Sequence, residues 1–522
     1  MSTTNVAKKG VASSAAVMSG TKKPNNKPAK SAGSAYKASK AKFSIKDGYS
    51  CQWNFAEYML SPISGQWAAD HTGVFAWTGT HWEAVSDERS SALSNTFLHE
   101  HFPDKASRAA SKDMWLYAAD HVAANAPLPR RAAPGWVVPC LNGYVHVDPA
   151  GAINFEAADS SYGLTYVVNS TVNCHHGKPH EPQPIPSQSL FGRFLASALP
   201  DSEVRAVVQE QCALTLMQGP HQIAFWWFGT GGNGKGVMTS ILQRFHQRCA
   251  TIWLNNLRDA TKLADCVNAS LLITPEVARG RWDEEEWKAL TGGDPLYAKQ
   301  VYKNPIRFIN RAVHIICSND RPWVTDVSDA VYRRLCFVEW TQAASSYVRI
   351  DRLDEKIMSQ EAHLVLDWLL EGLQRIAKRG GKFLPEDQWP DSVRLTKGMI
   401  RMSNDCIGAW AEACEVNGTH ERLTPKAAIY ECYAQWCKDD GRQPLADNMF
   451  WRKVWNVPKF RPFQPRTARG PTMRFNDKQV NAAHMVVGGV ASKSNGANVV
   501  ALPTHILVYR DTLLSGTGDI NF

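Results

Sequence analysis

Ile223-Ala-Phe-Trp-Trp-Phe228, followed at once by Gly229-Thr-Gly-Gly-Asn-Gly-Lys-Gly236, is the stretch on which the fold turns. A short apolar run ending in glycine reads as a buried strand, and Val237–Phe245 continues with the spacing of a helix. The result is G-x-x-x-x-G-K in a strand–loop–helix setting, the pattern of a phosphate-binding loop. Glycines let backbone N–H groups turn inward around phosphates, and the helix N-terminus adds its positive end. The nucleotide-contacting set is therefore Gly229, Thr230, Gly231, Gly232, Asn233, Gly234, Lys235, Gly236 and Val237, with Lys235 reaching the terminal phosphates. A Gly-rich turn without a ligand is the competing reading.

Outward from the loop, apolar runs at Leu271–Ile273, Ala312–Cys317 and Leu335–Glu339 alternate with helical stretches. That alternation predicts an α/β fold with a parallel sheet. The first run leads into Pro275-Glu276, 41 residues beyond Lys235. A carboxylate there can polarise an attacking water and help to hold Mg2+. The second run ends in Ser318-Asn319, where an amide can bond both a γ-phosphate and the water. Arg333 and Arg334 precede the third run, and such arginines can stabilise phosphoryl-transfer charge across a subunit boundary. The pattern departs from its type at Gly236, where a Ser or Thr normally ligates magnesium. Thr239 and Ser240 lie a turn deeper, which leaves the metal to Glu276 and water.

Around this core the chain divides by composition. Ten lysines and a single acid, Asp47, stand before residue 48, which accounts for the whole net charge of +9. Residues 1–42 read as a disordered basic tail able to bind nucleic-acid phosphates. The tail has no apolar core of a secretory signal, and lysine replaces the arginine usual in transit peptides. Residues 43–187 form a Trp-rich accessory module, with strands expected at Phe75–Trp82, Val137–Val147 and Gly163–Val168. His176–Ser187 reads as a Pro-rich linker. Then come the core with its leading helices (188–345), a helical segment (346–399), a small domain (400–477) and a tail (478–522) with one strand at Ile506–Tyr509. No apolar run is long enough to span a membrane. Twelve cysteines without a C-x-x-C pair suggest buried thiols in a reducing compartment. Cys174-His175-His176 with His180 lacks a second ligand pair and reads as a polar loop.

The order of Gly229–Gly236, Glu276, Lys288-Ala-Leu-Thr-Gly-Gly-Asp294, Tyr297-Ala-Lys299, Val301-Tyr-Lys303, Asn319 with Pro322, and Arg333-Arg334 resembles superfamily 3 helicases of the phage/plasmid and poxvirus-type primase-helicase family. The resemblance covers about residues 135–475. It implies an AAA+ ATPase core, ATP and Mg2+, a homo-hexameric ring, and translocation on single-stranded or forked DNA. A phage or plasmid setting in a bacterial cytoplasm follows, with a primase, polymerase or single-strand binding protein as partners. Lys299 and Lys303 become the strand-gripping residues of a channel hairpin. Ala427–Cys437 and Pro444–Phe450 resemble a winged-helix cap. Asn448–Asn456 would expose Arg452 and Lys453, and a wing over Phe460–Phe475 would carry Arg461, Arg466, Arg469 and Arg474. Neither a D-x-D nor an E-x-D motif stands in Phe43–Arg130, so priming is not expected. Two rivals stay open: an origin-binding initiator that melts DNA without processive unwinding, and a non-hydrolysing scaffold. A small-molecule P-loop kinase explains neither Lys288–Asp294 nor the arginine pair.

Overall fold

The computed structural model describes residues 43–492 apart from 278–281, 301–303, 325, 327, 343–349, 418–422, 443, 456, 458–471, 476–477, 482–484 and 488. For 412, 414–417, 423–425 and the strands beyond 471 it describes the backbone alone.

The chain begins with α1 (Cys51–Leu60), the antiparallel strands β1 (Trp67–Asp70), β2 (Gly73–Trp77) and β3 (Trp82–Ala84), then α2 (Asp87–His101) and α3 (Arg108–Asn125). Each helix starts on a serine, Ser50, Ser86 or Ser107, whose hydroxyl accepts an otherwise orphaned backbone N–H. Phe55, Phe97, Leu98, Met114 and Val122 make the small core between the helices. The two short strands read about the Gly79 turn are β2 and β3.

A second antiparallel sheet runs β4 (Trp136–Cys140), β5 (Gly143–Val147), β6 (Ile153–Glu156) and β7 (Lys178–Pro179). Two expectations fail here. Gly163–Val168 is not a strand: only Val168 makes bridges, to Cys140 and His246, while the Leu164 carbonyl accepts from the Trp82 N–H. His176–Ser187 is not a free linker either. Lys178–Pro179 joins the sheet, and buried His180 is hydrogen-bonded to Asp367 at 2.8 Å. Pro-rich composition forbids a regular helix, but it does not stop a chain from being pinned by side chains.

The core follows with α4 (Leu190–Ala198), α5 (Ser202–Leu214), β8 (Ala224–Phe228), α6 (Lys235–Phe245), β9 (Cys249–Thr251) and β10 (Leu271–Thr274). After them come α7 (Glu284–Gly292), the hairpin β11 (Pro295–Ala298) and β12 (Ile306–Ile309), β13 (Val313–Ser318), α8 (Asp329–Tyr332) and β14 (Leu335–Glu339). Five strands form a parallel sheet in the order β14-β8-β13-β10-β9. All five residues of β8 are buried. Phe225 and Trp227 enter the core on one face, and Ala224, Trp226 and Phe228 the core on the other. A strand covered on both faces needs apolar residues at every position, which is why 223–228 has no polar alternation.

Within the helical segment expected at 346–399 stand α9 (Leu353–Gln360) and α10 (Ala362–Lys378), the latter packed on α5. After α11 (Asp391–Asn404), α12 (Cys406–Ala413), α13 (Lys426–Asp439) and α14 (Asp447–Val454) share a core of Trp410, Tyr433 and Phe450. Among the described residues, no helix is long and apolar enough to cross a membrane.

Candidate nucleotide site

Because β8 lies between β13 and β14, the chain leaves it in one direction and returns on its other side. The C-terminal end of such a strand is where open α/β sheets place ligands, and the 229–234 loop stands there. Gly229, Gly232 and Gly234 have φ of 139°, 82° and 99°. A Cβ at Gly229 would come within 2.3 Å of the Trp340 carbonyl oxygen, and one at Gly234 within 2.8 Å of the Ala198 Cβ. Positive φ and contact with backbone both require glycine at these turns.

Asn233 ties the loop down. Its Nδ2 donates to the Trp340 carbonyl at 2.7 Å, and Trp340 N–H donates to Phe228 O at 2.8 Å. Lys235 is 5% exposed as a residue, and its ammonium donates to Gly229 O at 2.6 Å and to Asn233 Oδ1 at 3.0 Å. Burial lowers its pKa, and the nearby Cys317 partly offsets that. Around the loop lies a cavity of about 780 Å3, lined among others by Arg193, Phe194, Lys235, Gly236, Asn319 and Arg352. That volume falls in the range of small-molecule sites.

Glu276 and Asn319 meet at this edge. They follow the neighbouring strands β10 and β13, both are exposed, and Asn319 Nδ2 donates to Glu276 Oε1 at 3.5 Å. Below them Thr274 and His314 form a buried relay. Trp287 Nε1 donates to His314 Nδ1 at 3.3 Å, and an indole can only donate, so the imidazole proton sits on Nε2. That nitrogen donates to Thr274 Oγ1 at 2.9 Å, and the hydroxyl donates on to Ile252 O at 2.8 Å. Every polar atom of the ring is satisfied in its neutral form, and burial pushes its pKa down to about 3.

Gly236 has open space where a Cβ would point. Thr239 does not substitute for a hydroxyl there, because its Oγ1 donates to the carbonyls of Lys235 and Gly236 at 3.1 and 3.0 Å.

Arg333 and Arg334 stand elsewhere. The Arg334 carbonyl accepts from the N–H of Ala224, the first residue of β8, so both arginines lie at the N-terminal edge of the sheet. Five residues of strand separate that edge from the loop, roughly 16 Å. Arg333 is exposed. The Arg334 guanidinium donates through Nη1 to Ala330 O, and its buried Nε has no partner. Partial burial, then the charge of Arg333, lowers its pKa against the pull of Asp294.

Of the DNA-contact candidates, Lys299 is exposed at the end of β11, Arg452 is exposed on α14, and Lys453 is half-buried. Lys303, Arg461, Arg466 and Arg469 lie outside the described residues, as does most of 460–475 and all of 506–509. Arg474 falls in a strand, Thr472–Phe475, paired with Lys478–Asn481. Sequence reading missed Arg193 and Arg352. Arg193 sits on α4, far before the loop, and Arg352 caps α9 with φ of 50°. Neither has a local pattern that marks it. Among the described residues no group of His, Cys, Asp and Glu could hold a metal, and the described cysteines are free thiols, most of them buried.

Comparison with protein families finds a likeness in this region. Residues 227–334 match a family of unknown function, DUF5906. The match contains Lys235, Glu276, Asn319, Arg333 and Arg334. A putative helicase, 022R, of Frog virus 3 (isolate Goorha) is 26% identical over 167 residues. The alignment covers 27% of this chain and 16% of the viral protein's length. Two apo structures of the NrS-1 C-terminal region are 13% identical, with TM-scores of 0.36 and 0.37. Each covers 59% of this chain and 77% of the other.

Proposed function

We propose that the chain is an ATP-dependent DNA helicase of superfamily 3, built on an AAA+ core and working as a homo-hexameric ring on single-stranded and forked DNA during replication of a phage, plasmid or other mobile element. The observation that carries this reading is the split of the candidate residues. Lys235, Glu276 and Asn319 stand at one edge of the sheet, while Arg333 and Arg334 stand at the opposite edge. An arginine pair that cannot reach its own loop can serve the loop of a neighbour, and serving in turn closes a ring.

The site suits ATP by its chemistry. Gly231 and Gly236 leave their surroundings open, Lys235 supplies a cation, and the first turn of α6 is capped by Gly234 without a side chain over it. Mg2+ would be held by Glu276 and water. The carboxylate orients the attacking water and takes its proton, Asn319 positions that water, and Lys235 with a neighbour's Arg334 balances charge as the γ-phosphoryl leaves. The hairpin β11–β12 presents Lys299 to DNA, and α12–α14 form a winged-helix-like cap offering Arg452. A primase, polymerase or single-strand binding protein would work alongside. Gly236 favours a second reading, a ring that binds ATP but turns it over slowly or not at all.

Lys235→Ala should abolish ATP hydrolysis and strand separation on forked DNA together. Mixing it with Arg334→Ala should restore part of the turnover, because some interfaces then pair an intact lysine with an intact arginine. Full activity of Lys235→Ala alone would refute the assignment.

A further inference from the structure

A second cavity, of about 680 Å3, opens between the N-terminal module and the root of the β11–β12 hairpin. We propose that this cleft binds one strand of DNA through its phosphates, with Arg130, Arg307 and Arg311 as the contacting residues.

The charges lining it do not balance. Arg130, Arg131, Arg307 and Arg311 face it, and Asp70 is the one carboxylate on its wall among the described residues. Arg131 is already neutralised from behind by Asp159 at 2.8 Å, and its guanidinium lies over the Tyr162 ring at 4.9 Å. Asp70 is shared: its Oδ1 accepts from the Thr72 N–H at 2.7 Å and the Thr72 hydroxyl at 2.6 Å, and its Oδ2 makes a loose ion pair with Arg130 at 3.9 Å. Arg307 and Arg311 are exposed, and neither side chain has a partner among the described residues. Unpaired like charges gathered on low-dielectric walls raise a potential that an anion relieves.

The cleft is built rather than incidental. Asn268, held at φ of 59°, donates through Nδ2 to Thr72 Oγ1 at 3.0 Å and so joins the core to the N-terminal module across its floor. Asparagine is among the few residues that adopt this left-handed conformation readily.

The occupant follows from the shape of the charge. The cations come from two separate segments, 130 and 307–311, with Arg130 only loosely paired, so they match phosphates repeated along a chain better than a single anion. Tyr297 pairs in register with Arg307 and is 60% exposed, which sets an aromatic face beside a phosphate ligand. A cation with an exposed aromatic ring beside it suits an unpaired strand, whose bases are free to stack. A duplex is too wide for a cavity of this size. The proposal rests on reading the chain as a DNA-acting protein, but it does not depend on hydrolysis.

The test uses the full chain without nucleotide and follows the anisotropy of a fluorescent oligothymidylate across a salt series. Arg307→Ala/Arg311→Ala should bind about tenfold more weakly at low salt, with the slope of log K against log salt reduced by about 1.4, two phosphates at roughly 0.7 each. Arg307→Lys/Arg311→Lys should keep the slope, which separates lost charge from lost folding. Basal ATP turnover should be unchanged in both. Wild-type affinity and slope in the alanine pair would overturn the proposal. So would an altered oligomer mass with normal DNA binding, which would make the cleft a subunit interface, or displacement of the oligonucleotide by polyglutamate at equal charge, which would assign it to an acidic polypeptide. A wild-type chain with cleft-dependent DNA binding but no hydrolysis would refute the helicase reading and leave the cleft standing. DNA-stimulated hydrolysis with normal binding by the alanine pair would do the reverse.

Discussion

Asn319 donates its side-chain amide to a Glu276 carboxylate oxygen at 3.5 Å, although 43 residues separate the two in the chain. The bond uses one carboxylate oxygen of Glu276, and the residue is exposed. Glu276→Gln keeps the shape and removes the base. Turnover of ATP should fall by about 10^2- to 10^4-fold, the usual weight of a general base. Binding of a fluorescent ATP analogue should stay within a few-fold of wild type. Near-normal turnover would show that another group activates the water.

Gly236 and Gly234 should respond oppositely to a side chain. Nothing lies within 4 Å of a Cβ at Gly236, so Gly236→Ser adds a hydroxyl to the first turn of α6 without a clash. One extra favourable contact of about 1 kcal/mol corresponds to roughly fivefold. Half-maximal turnover should therefore need about fivefold less Mg2+. Gly234→Ala meets both a φ of 99° and the Ala198 Cβ at 2.8 Å, and should lose about 1–3 kcal/mol of stability. A magnesium titration and thermal melts distinguish the two, and an unchanged magnesium requirement in Gly236→Ser would remove Gly236 from the metal's surroundings.

His246 and His314 should make the core sensitive to acid. Burial pushes both pKa values down to about 3 from an ordinary 6.5. Below 6.5 the unfolded chain binds protons that the folded one refuses until about pH 3. The unfolded state then holds more protons, so stability falls as pH drops through that window and is complete above it. Each histidine contributes about 1.4 kcal/mol per pH unit to the slope. Melting temperature followed from pH 7 to pH 4.5 should fall steeply, and less steeply in His314→Gln. A flat profile in the wild type would contradict the neutral relay.

His180 and Asp367 pin the 176–187 segment to α10. They meet at 2.8 Å, both nearly buried, and Asp367 also accepts the Gln183 N–H at 3.2 Å. Asp367→Ala removes the acceptor of buried His180 and of the Gln183 N–H and should cost about 1–3 kcal/mol, the range for a buried donor left unsatisfied. ATP turnover per folded molecule should not change. A melt identical to wild type would mean that water replaces the carboxylate without loss.

Much of the core was legible from residue order. Leu271–Thr274, Val313–Ser318 and Leu335–Glu339 are strands where uninterrupted apolar runs stand, because a strand buried on both faces has no polar position to interrupt it. The same logic misled at Gly163–Val168, an apolar stretch whose backbone is divided among Trp82, Cys140 and His246 instead of one partner strand. At His176–Ser187 prolines suggested slack, and a single buried carboxylate removed it. Arg193 and Arg352 carried no signal, since a lone arginine on a helix looks the same whether it faces solvent or a cavity.

The Gly229–Gly236 loop was determined by the sequence itself. Three of its glycines take positive φ, a property of the residue and of its immediate neighbours, so the turn could be read without knowing what surrounds it. Everything that gives the loop a context came from the tertiary structure. The order β14-β8-β13-β10-β9 sets Glu276 beside Asn319 and puts Arg333 and Arg334 at the far edge, and the packing of the N-terminal module on the core gathers Arg130, Arg307 and Arg311 round one cleft. Those distances depend on how strands far apart in the chain bury their two faces together, and no local pattern of residues encodes which strand lies next to which.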